Sequence, residues 1–173
     1  MLPELQAHYD LLRKWNQKLN LTSEESLERH YGESLFLAEH LPPGNLRIVD
    51  IGSGPGFPGF PVAVVRPECS VTLVESHQRK AVFLREAGRK LRNVRVLAVR
   101  AEDVNERFDW AISRGVSYQD LGRVLPRLAP NVALLTGAEE PSAGLSMLWE
   151  TGILLPDSRN RFLRVSRETS RST

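Results

Sequence analysis

The 173-residue chain has very little cysteine and no long apolar run. Its single cysteine, Cys69, has no second cysteine with which to form an internal disulfide. No segment approaches the stretch of about eighteen apolar residues that a membrane-spanning helix requires. The opening residues, MLPELQAHYD, lack the basic start and apolar core of a secretory signal peptide. These absences predict a cytoplasmic protein with no membrane role.

The charge is also nearly balanced, with a net value of +2 and 25% charged residues. A net charge this small does not identify a nucleic-acid binder, and the many arginines alone indicate an ordinary solvated surface. The four histidines show no metal-ligand spacing, so no metal is expected. The length and the 41% hydrophobic content predict one globular domain, over 1–173. We expect it to be a monomer.

The first 44 residues show two helical patterns. Apolar residues recur at helical spacing in each, first Leu5, Tyr9, Leu12, Trp15 and Leu19, then Leu27, Tyr31, Leu35 and Ala38. Thr22 and Glu25 have the form of a capping box before the second helix. We therefore predict a two-helix extension over 1–44, preceding a core over 45–173.

From Leu46 onward, short β-rich runs alternate with helical segments. The runs are LRIVDI, SVTLVE, NVRVLAV, FDWAIS and NVALLT, and 151–155 with 161–166 form a possible closing hairpin. This alternation predicts an α/β fold whose seven-stranded, mostly parallel sheet carries helices on both faces. Ser76 is a plausible helix cap, and a helix over Leu121–Leu128 would be shortened or kinked by Pro126.

The stretch IVDIGSGPGFPG, residues 48–59, carries the first strand into a loop with four glycines. In an open α/β sheet, ligands bind beyond the carboxyl ends of the strands, where this loop lies. Residues 54–59 match the GxGxxG fingerprint of dinucleotide-binding proteins. S-adenosylmethionine is the competing ligand, and glycines that serve only the turn conformation are the structural alternative.

Charge and proline favour S-adenosylmethionine. A carboxylate at Asp50 suits its sulfonium and ammonium and disfavours a pyrophosphate, by about 4 kcal/mol for unit charges about 4 Å apart at an effective dielectric near 20. Asp50 could instead cap the following turn. Pro58 and Pro61 predict that the next helix begins late, near Gly59, which leaves a wider loop. Glu75, at the second strand end, can accept both ribose hydroxyls of either ligand.

Several ordered stretches then form a familiar pattern. YDLLRKWNQKLNLTS, RHYGES, DIGSGPGFPGFPVAVVRP, LVESHQRKAVFLRE, NVRVLAVRAED and FDWAISRGV together resemble the RsmG (GidB) 16S ribosomal RNA guanine-N7 methyltransferases, over 9–137. The resemblance implies a class I methyltransferase fold, S-adenosylmethionine as methyl donor, and a guanine of the small ribosomal subunit as acceptor.

The resemblance also implies site residues. Cofactor contacts carry over to Gly52 and Phe57 in the loop, beside Gly54, to Ala101-Glu102 after the third strand, and to Arg114 after the fourth. RNA contacts are implied at Arg29, His30 and Arg114. Without the resemblance, Ala101-Glu102 would be an ordinary helix start and Arg114 a surface ion pair.

Two positions depart from the family pattern. Glu33 stands where the family's R-H-x-x-D-S has the shorter acid, and Thr136 stands where its L-K-G has a lysine that could meet RNA phosphate. A donor-binding module that has lost its RNA substrate is therefore the alternative function. A nicotinamide-dependent oxidoreductase is a third, weaker hypothesis.

The expected chemistry requires no general base, because guanine N7 has a free lone pair, and we assign no catalytic residue. Positioning alone can lower a barrier by about 7–11 kcal/mol. Cytosine C5 methylation would need a thiolate, but Cys69 precedes the second strand and so lies at the wrong end of the sheet. The N/D-P-P-Y/F loop of amino-group methyltransferases is replaced by Ser113-Arg114-Gly115.

Overall fold

The computed structural model describes residues 1–22 and 27–168. Its helices are α1 (Pro3–Asn16), α2 (Leu27–Glu39), α3 (Gly59–Val65), α4 (Gln78–Gly88), α5 (Tyr118–Gly122) and α6 (Leu125–Leu128). The predicted Thr22–Glu25 capping box lies partly outside the described residues, since Glu25 belongs to the gap. No helix in the described ranges is long and apolar enough to cross a membrane.

The strands form one seven-stranded sheet in the order β3-β2-β1-β4-β5-β7-β6. They are β1 (Arg47–Ile51), β2 (Ser70–Val74), β3 (Val94–Leu97), β4 (Trp110–Arg114), β5 (Asn131–Thr136), β6 (Ile153–Leu154) and β7 (Phe162–Ser166). The strands β1 to β5 are parallel to one another, and β7 is antiparallel to both β5 and β6. This confirms the predicted fold, including the closing hairpin.

The sheet order reverses between β1 and β4, so their carboxyl ends border the crevice where α/β proteins bind ligands. One apolar core packs α1 and α2 against the sheet face that also carries α3 and α4. A second core lies on the opposite face, under α5 and α6. The helical extension is therefore joined to the sheet by buried side chains, among them Leu12, Leu37 and Phe60.

Two local predictions were wrong in detail. The cap of α4 is His77, not Ser76, because the His77 ring accepts a hydrogen bond from Lys80 N at 3.4 Å. The expected helix over Leu121–Leu128 is two short helices, α5 and α6, and Pro126 lies in the first turn of α6, where proline is tolerated.

Candidate active site

The glycine loop connects β1 to α3 by a series of left-handed turns. Gly52, Gly54 and Gly56 have φ values of 68°, 56° and 109°, which side chains other than glycine rarely adopt. A Cβ atom on Gly52 would also lie 2.9 Å from Val116 Cγ2, in the loop after β4. As predicted from the prolines, α3 begins at Gly59. The backbone of residues 52–58 therefore forms the boundary of the crevice.

Asp50 lies beneath this loop. Its side chain is 0% exposed, and Oδ2 accepts a hydrogen bond from Gly59 N at 2.9 Å, at the start of α3. Burial raises the pKa of Asp50 to about 7, against the lowering effect of the hydrogen bonds from Gly59 and Ser53, and the nearby Glu75 raises it further. Asp50 Oδ2 therefore caps the turn into α3, as the structural alternative had it, and a contact between Asp50 and the donor stays a prediction.

Glu75 holds the loop from the neighbouring strand end. Its Oε1 accepts from Gly54 N and its Oε2 from His77 N, each at 2.8 Å. The side chain is 8% exposed, and the two hydrogen bonds fix its orientation at the crevice. A carboxylate has about four lone-pair directions, so acceptor capacity for a ligand remains at the position where ribose binding was predicted.

A buried bridge from the helical extension supports the same loop from outside. His8 of α1 lies with Nε2 2.8 Å from Pro55 O and Nδ1 2.5 Å from Tyr31 Oη. Because a carbonyl only accepts, Nε2 carries the proton, and Nδ1 accepts from the Tyr31 hydroxyl. Burial lowers the pKa of His8 to about 4, so the ring is neutral near pH 7. We call these three groups the His8 bridge.

The sequence contains one signal for this bridge, which is the position of His8 on the buried face of α1. The buried residues of α1 are Leu5, His8 and Leu12, spaced three and four apart, whereas Tyr9 is only half-buried. A histidine at an apolar stripe position must find hydrogen-bond partners in the core.

Phe57 faces the helical extension instead of the crevice. Its side chain is 3% exposed and packs against the rings of His8, His30 and Tyr31, at centroid distances of 5.5, 5.2 and 4.8 Å. A cofactor contact at Phe57 stays a prediction, and the position of the ring leaves it to the backbone. Phe57 anchors the loop, and only its backbone is left to contact a ligand.

Ala101 and Glu102 form a short 3-10 turn (Ala101–Asp103) after β3, next to β2, which Glu75 follows directly. Arg127 of α6, which the sequence analysis did not single out, donates from Nη2 to the carbonyls of Ala101 and Glu102, at 3.2 and 3.1 Å. The Glu102 side chain is exposed. A residue distant in sequence thus fixes the position of the predicted adenine-binding turn.

Arg114, at the end of β4, belongs to a buried ion cluster centred on Glu33. The Glu33 side chain is 2% exposed; its oxygens accept from Arg161 Nε at 2.9 Å and Nη2 at 3.0 Å, while Arg114 Nε lies 3.6 Å away. The side chains of Arg114 and Arg161 are 20% and 22% exposed, so both cations reach the surface. Glu33 therefore positions two arginines, which its place in RHYGES did not reveal.

Of the two other predicted RNA-contacting residues, Arg29 is exposed and His30 is buried. His30 Nε2 lies 3.2 Å from Thr22 Oγ1. Burial lowers the pKa of His30 to about 4, and the charges of Arg114 and Arg29 lower it further. His30 is 4% exposed, so little of its side chain is available for the predicted RNA contact.

A cavity of about 530 Å³ opens beside this cluster, at the carboxyl ends of β4 and β5. Its lining includes Val116, Tyr118, Thr136 and Arg161. Thr136 accepts a weak hydrogen bond from Arg164 Nε at 3.4 Å. Arg161 thus supplies a cation to the cavity in which the family's lysine is replaced by Thr136. No group of three or more potential metal ligands occurs within residues 1–22 and 27–168.

The sheet order, with its antiparallel β7, and the glycine loop at the switch point define a class I S-adenosylmethionine-dependent methyltransferase fold. A methyltransferase of this kind from Aquifex aeolicus superposes with a TM-score of 0.63 at 14% identity, covering 85% of this chain and 94% of that one. Fibrillarin from Aeropyrum pernix, solved with bound S-adenosyl-L-methionine, superposes with a TM-score of 0.64 at 14% identity, covering 79% and 76%. These likenesses establish the fold.

The family follows from the sequence. The model of the GidB family, rRNA small subunit methyltransferase G, matches residues 1–126, and the chain belongs to this family. Proteins named ribosomal RNA small subunit methyltransferase G from Nitrosomonas europaea and Acetivibrio thermocellus are 44% and 35% identical to it, over 122 and 123 residues. These alignments cover 65% and 64% of this chain, but only 56% and 51% of the two relatives. The chain therefore spans about half the length of these relatives.

Proposed function

We propose that this chain uses S-adenosylmethionine to methylate N7 of a guanine in 16S rRNA of the small ribosomal subunit. The two carboxylates at adjacent strand ends under the glycine loop carry the proposal. Asp50 and Glu75 raise the local negative charge, and neither forms an ion pair with any described residue. Such a crevice favours a sulfonium and an ammonium over a pyrophosphate.

The residues present fit the donor. Asp50 Oδ1 is a buried acceptor without a hydrogen-bond partner, and a bound cation would favour the ionised form of this carboxyl group. The backbone at Gly52 and Gly54 would surround the amino-acid moiety, Glu75 would accept from ribose, and Ala101-Glu102 would border adenine. Phe57 would contribute through its backbone, and Arg114 would lie toward the acceptor.

When bound, S-adenosylmethionine would supply an electrophilic methyl carbon. Guanine N7 would take up the methyl group through its free lone pair, with the neutral thioether as leaving group, and the positive charge would pass to the guanine. No proton is removed, so the protein needs only to align nitrogen, carbon and sulfur. The cavity beside Arg114 and Arg161 is the place we assign to the acceptor base, with Arg29 nearby for phosphate.

The proposal also covers the domain organisation of the chain and its location in the cell. We infer that residues 1–44 and the sheet form one folding unit, because the His8 bridge and the Glu33 cluster join them at the site itself. The protein would act as a cytoplasmic monomer. The alternative of a donor-binding module without RNA activity is favoured by the departures at Glu33 and Thr136, but Glu33 pairs with Arg161, and Arg161 supplies a cation to the cavity that Thr136 lines.

Calorimetric titration with S-adenosylmethionine and with NADH tests the donor. We expect saturable binding of S-adenosylmethionine alone, weakened about ten-fold or more in Glu75→Gln, since a hydrogen bond to a charged group contributes about 1.5–3 kcal/mol. Glu106→Gln is the matched control, because Glu106 pairs with Arg47 and Arg95 at the opposite end of the strands. Binding of NADH without binding of S-adenosylmethionine would overturn the proposal.

The acceptor is tested by chemical cleavage at 7-methylguanosine, followed by primer extension, in 16S rRNA from a strain lacking the gene. The modification should be absent there and return with a plasmid copy. Unchanged methylation in the deletion strain, together with normal donor binding by the purified chain, would identify the chain as a donor-binding module instead.

A further inference from the structure

A groove between α1 and α4 is lined by both apolar and cationic side chains. It encloses about 490 Å³, and its apolar lining includes Trp15 and Val82, the latter 51% exposed. Arg79, Val82 and Glu86 lie three and four residues apart on one face of α4, so they face the groove together. Lys14 and Lys18 border it from the end of α1.

Trp15 is held in a fixed orientation in this groove. Its indole Nε1 donates to Glu86 Oε2 at 3.1 Å, and its ring packs edge-on against the buried Phe83, with centroids 5.7 Å apart. The ring nevertheless remains partly exposed. A fixed and partly exposed indole can stack with a planar partner at little cost in side-chain entropy.

The cations around Trp15 are not neutralised. Among the described residues, no carboxylate lies within 4 Å of the charged nitrogens of Lys14, Lys18 or Arg79. Three positive charges and the single negative charge of Glu86 leave the groove with a net charge of +2, and Glu86 is engaged by the indole. The groove therefore presents an aromatic ring within a positive field, which suits a polyanion with planar bases.

The groove is close to the proposed active site. Arg79 lies in the first turn of α4, four residues after Glu75 at the carboxyl end of β2. The helix α1 carries both His8, which contacts the glycine loop, and Trp15, two turns further on. An RNA strand bound in the groove would therefore pass along the carboxyl ends of the β-strands, where the glycine loop lies.

We propose that this groove binds a single-stranded segment of the RNA substrate. Lys14, Lys18 and Arg79 contact its phosphates, and one base stacks on Trp15. The inference rests on the proposed function, because the occupant is the RNA that the active site modifies. Lys14 in α1 and Lys18 just after it complete the cationic lining to which α4 contributes Arg79.

The test measures the affinity of the intact chain for a fluorescein-labelled, uridine-rich single strand of about ten nucleotides, over a range of salt concentrations. In the double variant Lys18→Glu and Arg79→Glu, we expect affinity at about 0.1 M salt to fall about 25-fold or more, because each phosphate contact contributes about 0.7 to the salt slope. The slope itself should fall by about 1.4. The matched control, Lys90→Glu with Arg92→Glu, makes the same charge change at exposed positions outside the groove and should retain most of the affinity.

Stacking of a base on Trp15 is tested separately, by tryptophan fluorescence. RNA should quench tryptophan emission more strongly in the wild-type chain than in Trp15→Phe, which keeps only Trp110, 3% exposed, and Trp149, partly buried against the core on the opposite face of the sheet. If the Lys18→Glu, Arg79→Glu variant has wild-type RNA affinity and salt slope, the groove is not the RNA site. A change only in the sedimenting mass of this variant would also refute the inference, because it would identify the groove as a self-association surface.

Donor titration of every variant separates this inference from the proposed function. Normal binding of S-adenosylmethionine and normal rRNA methylation in the groove variant would leave the function intact while the RNA site is refuted. Loss of donor binding by the wild-type chain would instead refute the proposed function itself.

Discussion

The His8 bridge makes a quantitative prediction about the glycine loop. His8→Phe keeps an aromatic ring stacked on Phe60, where the centroids are 4.3 Å apart, but removes both ring nitrogens. The Tyr31 hydroxyl and the Pro55 carbonyl then lose these buried partners, at about 1–3 kcal/mol each. We expect the free energy of unfolding to fall by about 3 kcal/mol, measured by urea denaturation near pH 7.

The substitution His8→Phe should also weaken donor binding. In His8→Phe the loop must be ordered by the ligand instead of by the bridge, so affinity for S-adenosylmethionine should fall about ten-fold, or about 1.4 kcal/mol. Tyr31→Phe removes only the outer hydrogen bond and leaves Nε2 on Pro55, so it should lose stability but retain most of the donor affinity. This difference separates positioning of the loop from general packing.

The pH dependence gives a third readout. The pKa of His8 is about 4 when folded and 6.5 in the unfolded chain, so the unfolded state binds the proton more readily. Stability from this group is complete above about pH 6.5 and is lost as the pH falls toward 4, by about 3 kcal/mol at 1.36 kcal/mol per pKa unit. His8→Phe should show a correspondingly weaker acid destabilisation. If it unfolds, binds donor and responds to acid like the wild type, the bridge does not position the loop.

Three further predictions concern the site. Because the pKa of Asp50 is about 7 and a bound cation favours its ionised form, donor affinity should rise with pH up to about 7 and then level off, and Asp50→Asn should abolish the rise. A Cβ at Gly59 would lie 2.5 Å from Asp50 Oδ2, so Gly59→Ala should lower the free energy of unfolding in urea by about 1–3 kcal/mol. The control Gly32→Ala, in α2, has no atom within 4 Å of the added Cβ and should raise that free energy by up to about 1 kcal/mol. Glu33→Gln should cost about 3 kcal/mol and reduce rRNA methylation far more than donor affinity, because Arg161 loses its paired carboxylate; equal losses of both would contradict this role.

The parallel strands could be predicted because they are short apolar runs, and β1, β2 and β4 are each followed by a helix. The late start of α3 followed from Pro58 in the same way, through a local rule about proline. These features depend on residues close in sequence, where spacing and residue type are informative.

The contacts that complete the site depend on residues far apart in sequence. His8 and Pro55 are separated by 47 positions and Glu33 and Arg161 by 128, and no periodicity connects such pairs. Asp50 was ambiguous for a different reason, since a carboxylate at a strand end can face either a ligand or the next helix. Only the position of the Gly59 amide decides between them.

Glu33 precedes the glycine loop in sequence and Arg161 follows β5, so the residues assigned to the methyl donor lie between the two members of this ion pair. A chain truncated after β5 would retain the glycine loop, Glu75 and the Ala101-Glu102 turn, but it would leave Glu33 buried without its bidentate partner. Such a product would keep the parts assigned to the methyl donor and lose the second arginine at the acceptor. A nonsense mutation late in the gene would then yield a protein that sequesters the donor without using it.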